Sequence, residues 1–233
     1  MEKEKTKKKL ISGIKVICSV IVCAAGIQFL VLAGWGMDPL TGLESALADK
    51  LNITLGRAAL IFEGTTFCIF LFVDKSLVNF GSFAFCFGIG PCIDFWAGAL
   101  SGIGMSRSAA GSLLFMVAGS FLIIVSIAYY VPLDFGLQSL DMYSVSIARL
   151  LNRRYGAGLT VTYLIMTAGA LCLGVRPGIT TLAAMTTYGY LIDKVRNIFD
   201  RKAENRKNRK GGGFDGQRLF DMVTVILFCH SAQ

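Results

Sequence analysis

Long apolar runs separated by short polar segments dominate the chain and predict membrane-spanning helices. Most of these runs approach the roughly 20 residues that a helix needs to cross a bilayer. Two segments differ, because between residues 38 and 52 and between residues 140 and 152 leucines recur at helical spacing among charged residues. They predict short amphipathic helices that lie at the membrane interface or dip into it. The predicted spans are 10–37, 55–73, 77–100, 109–131, 157–175 and 178–195.

The starts of the two amphipathic helices carry capping signals. Thr41-x-x-Glu44 fits a capping box, in which a hydroxyl and a carboxylate accept hydrogen bonds from free N–H groups of the first turn. Asp141 stands at the position of Thr41 in the second segment and is predicted to be its N-cap. In the first segment the leucines form the predicted apolar face, and Glu44 lies elsewhere on the circumference.

This pattern of spans and amphipathic helices occurs twice. Gly36–Arg57 and Gly136–Ala157 share six residues at an offset of 100, and a second block follows at an offset of 99. An internal repeat of this kind sets the architecture before any single residue does. The identical pairs are Gly36/Gly136, Leu40/Leu140, Ala48/Ala148, Leu51/Leu151, Asn52/Asn152 and Gly56/Gly156, then Ala84/Ala183, Gly90/Gly189, Ile93/Ile192 and Asp94/Asp193.

Each copy has three spans, and an odd number makes the second copy enter the membrane from the opposite side. The predicted fold is an all-α integral membrane protein with six transmembrane helices. They form two inverted three-helix repeats, each with a short amphipathic helix after its first span. Many secondary transporters are built so, with the site near the midplane. The predicted parts are a disordered basic N-terminus 1–9, repeats 10–104 and 105–198, and a basic tail 199–233.

The third span contains a predicted interruption. Gly88, Gly90 and Pro91 follow one another closely, and proline removes a helix hydrogen bond, so a kink or break is expected there. The sixth span keeps the glycine, as Gly189, but has Tyr190 in place of the proline. Interrupted helices lie beside the substrate site in many transporters.

Composition agrees with a membrane protein. The chain is 54% hydrophobic and 16% charged, whereas soluble domains carry about 25% charged residues. Much of the net charge of +8 lies near the two ends of the chain, which favours contact with anionic lipid over nucleic acid. Basic residues between the spans place both termini in the cytoplasm by the positive-inside rule. The apolar stretch 219–229 is too short to span a membrane.

Catalytic and metal-binding motifs are missing from the sequence. The seven cysteines have no metal-ligand spacing, and His230 is the only histidine, which excludes a histidine-based metal site or a Ser-His-Asp triad. There is no GxxxxGK[ST] phosphate-binding loop, so dependence on ATP would require a partner. We expect no enzyme activity, no cofactor and no metal.

Glu63 is the sharpest candidate for chemistry, because a carboxylate inside a span faces a cavity, pairs or takes up protons. The alternative is a structural glutamate that is protonated or locally hydrogen-bonded. Tyr163 is its equivalent in the repeat. Asp94 and Asp193 are candidate coupling carboxylates or residues of the headgroup region. Asp38 and Pro39 end the first span and form either a ligand contact or a plain turn.

These blocks resemble the YczE/YitT-like family of bacterial multi-pass membrane proteins. The resemblance rests on Gly36-Met-Asp38-Pro39-Leu-Thr41 and Gly90-Pro91-Cys-Ile93-Asp94, with second copies that begin at Gly136 and Gly189. It covers about residues 12–198 and implies a bacterial cell-membrane protein that is presumed to transport a substrate not yet assigned. The function predicted is a small-molecule secondary transporter with a midplane site. The alternative is a non-transporting accessory or substrate-binding subunit of a larger complex. A homo-oligomer or a partner subunit is compatible with both.

Overall fold

The computed structural model describes residues 2–102, 108–130, 137–191 and 194. Every regular element in these ranges is helical. A 3₁₀ turn, Lys75–Leu77, joins the third helix to the fourth. The α-helices are α1 Glu2–Ala33, α2 Pro39–Leu51, α3 Leu55–Val73, α4 Phe80–Ala99, α5 Ala109–Tyr130, α6 Ser139–Leu150, α7 Tyr155–Cys172 and α8, residues 179–191.

Five helices within these ranges are long and apolar enough to cross a membrane, which fits a multi-pass membrane protein. The predicted sixth span begins as α8, but three of its last residues, 192, 193 and 195, lie outside the described residues, and Asp193 is one of them. The tail 199–233 and its apolar stretch 219–229 also lie outside them. The five candidate segments are Gly13–Ala33, Leu55–Val73, Phe80–Ala99, Ala109–Ile127 and Tyr155–Cys172.

The prediction of a disordered N-terminus is wrong, because α1 already begins at Glu2. Lysine and glutamate are good helix formers, and no glycine or proline occurs before Gly13. The basic stretch therefore extends the first span as a helix.

Helix α1 forms the centre of the bundle and packs against α4 and α5. A Cβ atom at Gly26 would lie 2.9 Å from the Gly119 carbonyl oxygen, so the backbones of α1 and α5 nearly touch. Two side-chain bonds to α1 carbonyls strengthen these contacts: Ser126 Oγ donates to Ser19 O at 2.8 Å and Trp96 Nε1 donates to Ile21 O at 3.1 Å. Small residues permit this close approach of spanning helices.

The two short helices start earlier than predicted. Asp38 is the N-cap of α2 and accepts from Thr41 N at 3.3 Å, so the capping box from Thr41 is wrong. Asp38 followed by Pro39 is a strong start signal, because proline lacks an N–H and its fixed φ suits the first helical position. Asp141 is likewise the third residue of α6, whose N-cap is Gln138.

Helix α2 turns its polar side to the protein interior. Glu44 is only 3% exposed, and Thr41 and Ala48 on the same face are also buried. Leu51, on the predicted apolar face, is 51% exposed. Leu40, at the start of the same face, is buried, so the leucine face becomes exposed only toward the C-terminal end of α2, where an apolar face can meet lipid. The helix packs on α3 and α7, while α6 packs on α7 and α3.

The predicted break in the third span is absent, because α4 runs continuously through Gly88, Gly90 and Pro91. Neighbouring helices allow membrane helices to tolerate proline. The glycines serve packing instead: a Cβ at Gly90 would overlap the Gly56 carbonyl oxygen. In the second half, a Cβ at Gly189 would lie 3.0 Å from the Gly156 carbonyl oxygen, and α8 is helical on both sides of that residue.

Candidate functional site

A small cavity lies where the two short helices meet the spanning helices. Its volume is about 30 Å³, which has room for about two water molecules. Three carboxyl side chains line it: Asp38, Glu44 and Glu63. The remaining lining residues are Cys23, Ile27, Leu40, Thr41, Ile89, Ile123, Ile127, Gln138, Leu140 and Tyr163.

Glu63 projects from α3 and caps the start of α6. Its Oε1 accepts from Ser139 Oγ at 2.6 Å, and its Oε2 accepts from Ser139 N at 3.2 Å. Ser139 is the first residue of α6, whose N–H has no partner within its own helix. The positive end of the helix dipole favours a carboxylate at this place. The thiol of Cys86 on α4 also forms a hydrogen bond with Glu63.

Tyr163 reaches the same cavity from α7, at the position that matches Glu63 in the repeat. It is 1% exposed, and its ring packs edge-on against Tyr188 at a centroid distance of 6.3 Å. The Tyr188 hydroxyl in turn donates to Ser120 Oγ at 2.7 Å, which holds the ring pair in place.

Asp38 uses only one of its carboxyl oxygens for capping. Oδ2 accepts from Thr41 N, whereas Oδ1 is buried and has no hydrogen-bond partner among the described residues. The preceding carbonyl, of Met37, accepts from Thr181 Oγ1 at 2.7 Å and so ties α8 to the start of α2. Pro39 is buried at the first position of α2 but does not line the cavity.

Glu44 is the site residue that sequence reasoning missed. It lies one turn beyond Thr41 on the buried face of α2, and it forms no hydrogen bond with any described residue. The sequence did contain a signal for Glu44: Thr41, Glu44 and Ala48 recur at the same helical spacing as the leucines and therefore share one face of the helix. The leucine spacing was used to predict the apolar face, and Glu44 was placed elsewhere on the circumference.

Helix α2 does not span the membrane, and burial raises the pKa of both its inward carboxyl groups above their usual values. For Asp38 the hydrogen bond from Thr41 opposes that rise. For Glu44 the charges of Glu63 and Asp38 raise the pKa further. None of the described lining residues is Lys, Arg or His. A cluster of this kind must therefore hold protons or an added positive charge.

The carboxylate of Asp94 lies away from the cavity and caps another helix. Its two oxygens accept from Thr54 Oγ1 at 2.7 Å and from Gly56 N at 3.0 Å, so Asp94 caps the start of α3. It does not line the cavity. Its repeat equivalent, Asp193, lies outside the described residues. The cavity thus brings together Asp38, Glu63 and Tyr163 of the predicted residues.

The two halves contribute different chemistry to the cavity region. Ser144 matches Glu44 in the repeat and is satisfied within its own half, because its Oγ donates to Leu140 O at 2.7 Å and to Thr162 Oγ1 at 3.2 Å. Asp141 is the one acidic residue on α6, and it accepts a hydrogen bond from Tyr155 OH. The lining carboxyl groups all come from the first half.

The carboxyl groups do not converge on one point. No group of three or more His, Cys, Asp or Glu side chains within the described ranges could hold a metal ion. The arrangement therefore suits protons, or a positive charge that meets the carboxyl groups from different sides.

Sequence comparison extends over nearly the whole helical part of the chain. Residues 11–197 match a family of unknown function, DUF6198. No curated protein and no solved structure matches the chain. The resemblance to YczE/YitT-like proteins is not tested by this match and stays a prediction. The chain belongs to the family of unknown function DUF6198.

Proposed function

We propose that this protein is a small-molecule secondary transporter of the bacterial cell membrane, with both termini in the cytoplasm. The substrate binds in the acidic cavity between two inverted three-helix repeats. One observation carries the proposal: three buried carboxyl groups line a cavity to which helices of both halves contribute, and none of its described lining residues is basic. Intramembrane carboxyl groups that face a cavity are typical of substrate and proton pathways.

Reciprocal contacts between the halves support the inverted repeat. In one direction Leu137 N donates to Ser82 Oγ at 2.8 Å, so the start of α4 holds the entry to α6. In the other, Thr181 Oγ1 donates to Met37 O, so the start of α8 holds the entry to α2. These residue pairs match one another at the repeat offsets of 99 and 100, as a two-fold relation between the halves requires.

The ends of the short helices also match. Asn52 and Asn152 both adopt left-handed conformations, with φ of 52° and 51°. Ile53 N and Arg153 N then donate to the carbonyls five residues back, at Ala48 and Ala148. Asparagine tolerates this conformation better than other non-glycine residues.

The bond between Glu63 and Ser139 links the first half to the second across the cavity. Rocking of one half against the other would open the cavity alternately to each side of the membrane. Protonation of Glu63 or binding of a substrate changes the acceptor strength of this carboxylate. The link therefore couples the occupancy of the cavity to the relative position of the halves.

Uptake into proteoliposomes tests the proposal. Labelled cationic, neutral and anionic metabolites are offered to vesicles that contain the parent protein, Glu44→Gln or Asp49→Asn. Asp49 is the matched control, because it is an exposed carboxylate on the same helix. We expect saturable uptake of at least one solute by the parent and Asp49→Asn, and at least a tenfold loss in Glu44→Gln. Binding without uptake of any solute would contradict transport and favour a substrate-binding subunit.

A further inference from the structure

The residues that line the cavity determine which ligand charge it can accept. Binding of such a ligand rests on the cavity alone, and only its transport rests on the proposed function. Asp38, Glu44 and Glu63 supply three acidic groups, and the lining that the structure describes has no basic side chain to balance them. An anionic ligand would add a like charge to this cluster, which is strongly unfavourable in a buried place. A positive charge would balance it.

Two carboxyl groups still have acceptor capacity. Both oxygens of Glu63 already accept from Ser139. Asp38 has an unpartnered, buried Oδ1, and Glu44, which is 97% buried, bonds to no described residue. Buried polar groups are nearly always hydrogen-bonded, so unsatisfied acceptors at a cavity point to a donor that the ligand brings.

Most of the remaining lining is apolar, and Cys23, Thr41 and Gln138 complete it. Four isoleucines, two leucines and the ring of Tyr163 surround the carboxyl groups. A hard inorganic ion gains nothing from such walls, and no three acidic groups in the described ranges are placed to share one metal ion. An alkyl chain, in contrast, is stabilised by burial against them. The lining isoleucines and leucines are Ile27, Ile89, Ile123, Ile127, Leu40 and Leu140.

We propose that the cavity binds a small aliphatic ammonium ion. The ammonium group donates hydrogen bonds to Glu44 and to Oδ1 of Asp38, and the alkyl chain packs against the isoleucines. A cavity of about 30 Å³ holds only about two waters. The helices must therefore move apart to admit the alkyl chain and close again over the ammonium end.

Competition with protons gives this ligand a signature that a neutral one lacks. Carboxyl groups that hold protons must release them to bind a cation, so the affinity rises with pH. One displaced proton gives about a tenfold tighter Kd per pH unit. Helix α5 lines the cavity with Ile123 and Ile127 only, and the titratable groups that face the cluster come from the other helices: Cys23 of α1, Asp38 and Glu44 of α2, Glu63 of α3, Cys86 of α4, Asp141 of α6, Tyr163 of α7 and Tyr188 of α8.

Thermal unfolding of the full-length protein in detergent tests the inference with three probes of one chain length: n-butylamine, 1-butanol and butyrate. A ligand that binds the folded state raises its stability by mass action, and the concentration dependence gives Kd. We expect n-butylamine alone to stabilise the parent and Asp49→Asn. Its Kd should tighten from pH 6 to pH 7, by up to about tenfold for one displaced proton, and weaken at least about tenfold in Glu44→Gln.

Equal stabilisation by 1-butanol or butyrate, or an unchanged Kd in Glu44→Gln, would overturn the inference, as would no stabilisation by n-butylamine. If Glu44→Gln fails to fold, Asp38→Asn replaces it, because an asparagine oxygen can still accept from Thr41 N. The proposal of transport and the proposal of an ammonium ligand can be refuted independently of each other. Uptake of a neutral or anionic solute only would refute the ammonium ligand and leave transport standing, whereas butylamine binding without uptake would do the reverse.

Discussion

The link between the halves gives the most quantitative prediction. Glu63 accepts two hydrogen bonds from Ser139, at 2.6 Å from the hydroxyl and 3.2 Å from the backbone N–H. Glu63 is 2% exposed, and Ser139 is fully buried. Removal of the carboxylate leaves both donors without an acceptor, whereas removal of the hydroxyl takes away the shorter bond only.

The energies follow from these contacts. A hydrogen bond to a charged group contributes about 1.5–3 kcal/mol, and a neutral one about 1 kcal/mol. Ser139→Ala should therefore lower the free energy of unfolding by about 1–3 kcal/mol. Glu63→Ala loses both bonds and leaves a void, so about 3–5 kcal/mol is expected. The double variant should be less destabilised than the sum by about 1–3 kcal/mol, because the hydroxyl bond is lost only once.

Unfolding in mixed micelles of detergent and sodium dodecyl sulfate measures these free energies. Tyr163→Phe combined with Ser139→Ala is the matched control, because Tyr163 lines the same cavity but matches Glu63 only by repeat position. We expect that pair to be additive to within about 0.5 kcal/mol. Additivity of the Glu63 and Ser139 variants as well would refute the link between the halves.

Two further predictions concern packing and charge. Gly158→Ala places a Cβ on the carbonyl oxygen of Ser144 and should lower the free energy of unfolding by about 1–3 kcal/mol in the same assay. The control Gly98→Ala meets open space and should be neutral or stabilising by up to about 1 kcal/mol. Equal effects of the two substitutions would contradict the contact between α6 and α7. The pKa of Asp74 is lowered by hydrogen bonds from Ser76, so its stabilising effect is present above the ordinary pKa of aspartate and is lost as pH falls through the folded value. Asp74→Asn should therefore flatten the acid limb of the stability curve, and an unchanged limb would show that the lowered pKa has no effect on folding.

Sequence patterns predicted the helices well because apolar runs of this length have few alternatives. The repeat correctly paired Asn52 with Asn152, whose backbones agree to one degree in φ. Glu63 was singled out by the cost of a carboxylate in a span, and it lies at the cavity. These inferences needed only length, periodicity and the chemistry of one residue.

The missed features depend on what surrounds each element. Glu44 was overlooked because the leucines at helical spacing define the apolar face of α2, and periodicity alone does not say which face of the helix meets protein. The continuity of α4 through Pro91 depends on packing against neighbouring helices, which its own sequence does not contain. The role of Asp94 as a cap for α3 likewise arises from a contact 38 to 40 residues away along the chain.

Topology is the most direct test of two inverted halves around one site. Asp49 and Arg149 are exposed and lie one repeat apart, and Arg149→Cys gives up only an exposed ion pair with Asp74, which contributes little to stability. Each is changed to cysteine in a background in which Cys68, Cys172 and Cys229 are alanine, and intact cells are treated with a membrane-impermeant maleimide. We predict that Asp49→Cys is labelled from outside and that Arg149→Cys is labelled only after the cells are permeabilised. Labelling of both positions from the same side would contradict the inverted repeat.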